Sequence, residues 1–257
     1  MTPVPRDVVL QVCHAGVAYR QRTGMLRYGN FWGLEDVDFE LHAGETLGII
    51  GANGAGKSTL LRLIAGVTQP DRGRLVWRRP LKANLLTLNA GFKPELTGRE
   101  NATLSGLLLG MRLRDVSRRL DSIREFSELG EFFEQPAGTY STGMRARLGF
   151  AVAIHAESDV LLIDEVLGVG DASFRMKSQR VMREVVRSNK TVVLVSHSME
   201  AIRELCDRVI WIDKGRSIIT GDASYVIDGY HVAVREAVRQ AHLASLGGAQ
   251  AAAASSS

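Results

Sequence analysis

Short, unbroken apolar runs punctuate the chain at Thr46–Ile50, Asp159–Asp164, Thr191–Ser196 and Arg208–Asp213. They are rich in leucine and β-branched residues and do not alternate with polar positions. A strand with one wet face alternates, so a continuous apolar run predicts a strand covered on both faces. Helical patterns lie between the runs, and the chain therefore reads as α/β with a largely parallel core sheet. Asp213-Lys-Gly-Arg216 has turn chemistry and predicts a hairpin into Ser217–Thr220, an antiparallel element beside that core. From about Pro94 to Ala156 the pattern is helical with little strand character, which predicts an inserted α-helical subdomain over 94–156. Thr97-Gly-Arg-Glu100 has capping-box spacing and predicts a helix start. The alanine- and serine-rich end is low-complexity and is expected to fray, so the domain is placed at 1–240 and a tail at 241–257.

Composition narrows the class. The chain has 257 residues, 45% of them hydrophobic, enough for the core of one large domain. Its longest apolar runs, such as Ser105-Gly-Leu-Leu-Leu-Gly110, fall far short of the ~18 residues that span a bilayer. The N-terminus has no signal-like apolar core, and the chain is expected to remain in the cytoplasm. Cys13 and Cys206 lack metal-ligand spacing and read as free thiols. The net charge of +4 permits contact with anionic partners without requiring it. The arginines are scattered, as at Arg112, Arg114, Arg118 and Arg119, and read as a solvated helix face.

The candidate chemistry begins at Gly51-Ala-Asn-Gly-Ala-Gly-Lys-Ser58, which fits the phosphate-loop pattern G-x-x-x-x-G-K-[ST]. It stands between the run Thr46–Ile50 and a helical pattern, Thr59–Ala65. A strand that turns through glycines into a helix N-terminus makes an anion site, with backbone N–H groups and the helix dipole facing the ligand. Lys57 would reach the β/γ-phosphates and Ser58 would ligate Mg²⁺. Asp164 ends an apolar run and would hold the same ion, while Glu165 would polarise the attacking water as general base. His197 follows the run Thr191–Ser196, at the sheet edge where open α/β folds bind ligands, and would contact the γ-phosphate. Tyr140–Ile154 reads as a loop followed by a helix whose apolar face carries Leu148, Ala151 and Val152. Ser141 and Gly143 at its start suit a second anion site; taken alone, Ser141 reads equally as an ordinary helix cap.

These motifs, in this order, resemble the nucleotide-binding domain of ABC transporters over about Val9 to His231. The resemblance implies a P-loop ATPase fold that binds ATP and Mg²⁺. Its phosphate contacts would come from Gly51, Asn53, Gly54, Ala55, Gly56, Lys57, Ser58 and Thr59. Ser141, Thr142, Gly143 and Met144 would form the signature that caps a partner subunit's ATP, and Asp171 would be the D-loop aspartate. Tyr19 would stack on adenine, with Tyr28, Phe31 and Trp32 nearby in sequence. The expected assembly is a head-to-tail homodimer sandwiching two ATP molecules. It would drive separate transmembrane permease subunits from the cytoplasmic face of the inner membrane, with no nucleic-acid partner.

The segments Phe31–Val37, Gly91–Asn101, Thr139–Met144 and Asp164–Phe174 are similar to those of ATPases that export lipid-linked polysaccharide. Such a glycan is thus the implied indirect cargo, and Arg20–Asn30 resembles an extra loop of the O-antigen type. The alternatives are an exporter ATPase for another lipid or drug cargo, a soluble ABC ATPase, and a non-catalytic nucleotide-binding module. Soluble relatives usually carry paired domains or long coiled coils, and Glu165 with His197 speaks against the non-catalytic reading. The sequence departs from the common pattern in two places. Asn89-Ala-Gly91 stands where a Q-loop glutamine is usual, and Val166–Gly170 replaces a more usual Pro-Thr-Ser-Ala-Leu. Some O-antigen ATPases add a C-terminal carbohydrate-binding domain; with the sequence ending at Ser257, recognition of a terminal glycan modification through one is not expected.

Overall fold

The computed structural model describes residues 7–22, 28–86, 91–164, 171–196 and 198–254. Among these residues nine strands form one sheet in the order β4-β1-β2-β9-β8-β3-β7-β6-β5. The parallel part comprises β3 (Thr46–Ile50), β5 (Ala83–Leu86), β6 (Val160–Asp164), β7 (Thr191–Val195) and β8 (Arg208–Asp213). The four predicted apolar runs are β3, β6, β7 and β8. β9 (Arg216–Asp222) returns antiparallel to β8. Lys214 and Gly215, with φ of 47° and 76°, make the tight turn that hairpins favour. A second antiparallel layer, β1 (Val8–Arg22), β2 (Tyr28–His42) and β4 (Arg72–Trp77), continues the sheet.

Both faces of the parallel strands are buried. Ile49, Leu162, Val193, Val195 and Ile210 face a core shared with β1, β2 and helix α1 (Lys57–Ile64). Their neighbours Ile50, Leu161, Ile163, Val192 and Leu194 face the opposite way. That second core is built on α4 (Thr142–His155), α5 (Ala172–Arg187), α6 (Met199–Leu205) and α7 (Ala223–Ala254). This two-sided burial is why the strands show no alternation.

The inserted subdomain holds α2 (Gly98–Leu108), α3 (Leu113–Ser127), two short 3₁₀ turns and the start of α4. Its capping box forms as predicted, with Thr97 Oγ1 accepting from the Glu100 N–H and Glu100 accepting from the Thr97 N–H. The subdomain has its own core, in which Phe133, Tyr140 and Ile123 meet Leu148, Ala151 and Val152 of α4. Phe150 and Ala153 of the same helix face the sheet instead, so α4 belongs to both bodies. At the C-terminal end, α7 continues through Ala254, where composition alone predicts fraying. Among the described residues no helix is long and apolar enough to cross a membrane.

Candidate functional site

The phosphate-loop motif folds where the sequence places it. β3 ends at Ile50, the loop spans 51–56, and α1 starts at Lys57, two residues before the predicted start. Gly56 caps the helix in the left-handed region at φ 112°, and a Cβ there would lie 2.5 Å from the Gly33 carbonyl oxygen. Gly51 is as crowded, with the Ile212 carbonyl oxygen 2.1 Å from where a Cβ would be. These two glycines let the loop pass between β2 and β8 without a clash. The first turn of α1 carries no acidic residue, so no side chain within that turn offsets its N–H groups and dipole.

Lys57 is nearly buried at 8% exposure. Its Nζ donates to the carbonyls of Gly51 at 2.8 Å and Ala52 at 2.9 Å, which draws the loop closed around the ammonium. A cleft of about 330 Å³ opens over it. Asn53, Gly54, Gly56, Lys57, Ser58 and Thr59 line one side; Asp164 and Val195, from the ends of β6 and β7, line another; Phe31 and Gly33 of β2 complete it. The cleft thus lies at the C-terminal ends of the parallel strands, where such folds bind ligands. A second cavity of about 300 Å³ lies at the opposite end of β5, lined by Lys82, Arg112, Arg119 and Glu157. Arg119 there is already paired with Glu157 and with the His155 carbonyl.

The donor set fits a phosphate ester with a hard divalent cation. The loop and Lys57 supply N–H groups and charge, while the Ser58 hydroxyl and Asp164 carboxylate are the oxygen ligands such a cation takes. Glu165 and His197 lie outside the described residues, as do Thr87–Ala90 with most of the departing Asn89-Ala-Gly91 segment.

Tyr19 and Phe31 are direct cross-strand partners in the β1/β2 ladder. Phe31 lines the cleft and is 54% exposed. Tyr19 does not line it; its ring lies against Gly33, where a Cβ would sit 2.6 Å from Cε2. Sequence reasoning names Tyr19 and misses Gly33, because the pairing of β1 with β2 is not visible in the pattern. The segment Arg20–Asn30 extends this hairpin, with Arg20 opposite Asn30 and Arg22 opposite Tyr28; residues 23–27 lie outside the described part.

The signature segment sits apart, since none of residues 141–144 lines the cleft. Ser141 is the exposed N-cap of α4, its Oγ accepting from the Met144 N–H at 3.1 Å. Among the described residues, a Cβ on Gly143 would meet only that Oγ, at 3.7 Å, which leaves room beside the turn. Asp171 caps α5. Its Oδ1 accepts from the Phe174 N–H at 3.0 Å and the Ser173 hydroxyl at 2.8 Å, and its Oδ2 pairs with Arg147. The Phe174 N–H, then the Ser173 hydroxyl and Arg147, hold its carboxyl below the usual range.

Comparison with known proteins identifies relatives of this chain. A family model described as ABC transporter matches residues 34–168, just over half of the chain. The O-antigen export system ATP-binding protein RfbB of Klebsiella pneumoniae is 45% identical over 210 residues, covering 82% of this chain and 85% of that protein. The teichoic acids export ATP-binding protein TagH of Listeria innocua is 42% identical over 201 residues, 78% of this chain and 59% of that protein. Among solved structures, a dimeric post-hydrolysis state of the ATP-binding cassette MJ0796 bound to ADP and Pi aligns with a TM-score of 0.68 at 20% identity. That alignment covers 83% of this chain and 98% of that one.

Proposed function

The chain belongs to the ABC transporter family, and we propose that it is the ATP-hydrolysing subunit of an exporter that moves a lipid-linked, O-antigen-like polysaccharide across the cytoplasmic membrane. The observation that carries the ATPase reading is the convergence of the loop, Lys57, Ser58 and Asp164 on one cleft at the strand ends. The cargo reading rests on relatives named for O-antigen and teichoic acid export at 42–45% identity.

In this reading Lys57 exchanges its two carbonyl partners for phosphate oxygens, and the N–H groups at the start of α1 hold the remaining oxygens. Ser58 and Asp164 would hold Mg²⁺, which when bound neutralises charge building on the phosphate oxygens. Glu165 takes a proton from the water that attacks the γ-phosphorus as the bond to the bridging oxygen breaks, leaving ADP and phosphate. His197 contacts the transferred group. Phe31 and Tyr19, side by side on the β1/β2 hairpin, offer the aromatic surface for adenine.

Ser141 and Gly143 are outside their own chain's cleft, which favours a head-to-tail homodimer in which each signature turn caps the other chain's nucleotide. Closing and opening of that dimer drives separate transmembrane subunits from the cytoplasmic face.

The test is made in cells carrying Glu165→Gln in place of the native residue. Surface polysaccharide is expected to fall while lipid-linked glycan accumulates inside. Unchanged glycan, with ATPase activity lost in the purified variant, would reassign the cargo and leave the ATPase reading intact.

A further inference from the structure

The signature helix α4, the start of α5 and the end of α3 meet at one group of charges. Arg147 stands six residues beyond Ser141, about 9 Å along the axis of α4 at the usual helical rise. Its Nη2 pairs with Asp171 Oδ2, and its Nη1 lies 3.5 Å from Glu128 Oε2. Lys177 of α5 supports the far side, donating to Glu128 Oε1 at 2.7 Å and to the Phe126 carbonyl at 2.9 Å. Among the described residues, Arg147 is the one side chain that touches both acids.

The group stands on a built platform. Phe126 of α3, Phe150 of α4 and Phe174 of α5 meet with ring centroids 6.0 Å apart in each pair. The Arg147 guanidinium lies 5.3 Å from the Phe174 centroid, and the Lys177 ammonium 4.6 Å from that of Phe126. The Arg147 side chain is only 18% exposed, so its ion pairs are less screened than surface pairs.

Capping does not explain the contact with Asp171. Oδ1 alone receives the Phe174 N–H and the Ser173 hydroxyl, which satisfies the start of α5. Oδ2 remains for a partner on another helix, and Arg147 provides it. A guanidinium can reach two carboxylates with different nitrogens in one fixed plane; an ammonium is a point charge that centres on one.

We infer that Arg147 is a positioning residue for ATP hydrolysis, clasping Asp171 to the signature helix and to Glu128 at the end of α3. The inference rests on the ATPase reading. Any shift of the helical subdomain that moves Ser141 then moves Asp171 with it. Among the described residues, the partners of Arg147 are Asp171, Glu128 and Phe174, none of which lines the nucleotide cleft, so its loss is expected to act on turnover rather than on binding.

The experiment compares wild type, Arg147→Gln, Asp171→Asn and the double variant by steady-state ATP hydrolysis and by equilibrium binding of a fluorescent ATP analogue. Arg147→Gln is expected to lower kcat roughly tenfold, with the analogue Kd within about twofold of wild type. In the Asp171→Asn background it is expected to cost little more, because both changes break one link. Arg147→Lys is expected to keep the melting temperature and still lose turnover. Wild-type kcat in Arg147→Gln, losses that multiply in the double variant, or full rescue by Arg147→Lys would each overturn the inference. Should Arg147→Gln not fold, Glu128→Gln, at the exposed end of the clasp, is expected to lower kcat in the same direction, and wild-type kcat there would overturn it. A wild-type protein that binds the analogue without turnover would instead sink the ATPase reading itself.

Discussion

The ammonium of Lys57 already sits against the Gly51 and Ala52 carbonyls, so the charge is in place before a phosphate arrives and little ordering remains to be done on binding. A hydrogen bond to a charged group contributes about 1.5–3 kcal/mol. Lys57→Ala is therefore expected to raise the Kd for ATP by roughly ten- to a hundredfold. Titration with a fluorescent ATP analogue measures this, and unchanged affinity would remove the phosphate-loop assignment. The glycine at 56 makes a separate prediction about stability. With φ at 112° and the Gly33 carbonyl in the way, Gly56→Ala combines backbone strain of about 1–3 kcal/mol with a backbone clash. Gly54, at φ 77° with no described residue near its Cβ position, carries the strain without that clash. Thermal melts are expected to show a lower melting temperature for Gly56→Ala than for Gly54→Ala. At this scale the sequence was informative because phosphate-loop chemistry demands particular residues at fixed spacing. It was poor for the aromatic wall, since any of four nearby rings satisfies the pattern and only the strand register, Tyr19 opposite Phe31, tells them apart.

Elements divide in the same way. Strands covered on both faces leave short continuous apolar runs, and β3, β6, β7 and β8 are legible for that reason. β1 and β2 are not, although each runs for 15 residues. Their register shifts between Val8 and Leu10, between Val12 and Ala15, and on to Ala18, and every shift breaks the two-residue period on which recognition depends. The helical insertion was legible through its cap and its period. Its link to the sheet runs through α4, which puts Leu148 into one core and Phe150 into the other. Phe150 is fully buried and stacks near Phe126 and Phe174. Phe150→Ala is expected to cost about 3–5 kcal/mol of stability, read as a lower denaturant midpoint. Thr97→Ala, which removes a capping box on the exposed side of the same subdomain, is expected to cost about 1 kcal/mol. A subdomain that melts separately in Phe150→Ala would show that α4 is its tether to the sheet; one shared transition would show that the two cores unfold together.

At the scale of the whole molecule, the two turns proposed to bind phosphate are split between places that do not meet within one chain. The loop at 51–56 opens on its cleft, and the turn at Ser141–Met144 opens elsewhere. In the proposed reading a single chain holds the phosphates through Lys57 but closes the nucleotide only with a second copy. Binding of nucleotide and pairing of chains are then linked, so whatever prolongs the ATP-bound state prolongs the dimer. Glu165→Gln preserves size and removes the proposed base without changing a residue of the loop. It is expected to bind ATP as wild type does, to lose turnover by orders of magnitude, and to elute from a sizing column as an ATP-dependent dimer. Adding Ser141→Arg to that variant sets a cation and added bulk at the capping turn of the partner's site. It is expected to return the protein to a monomer while Lys57-dependent ATP binding persists. A dimer that survives Ser141→Arg would mean that the chains join through another surface, and a Glu165→Gln protein that still turns over ATP would remove Glu165 as the base.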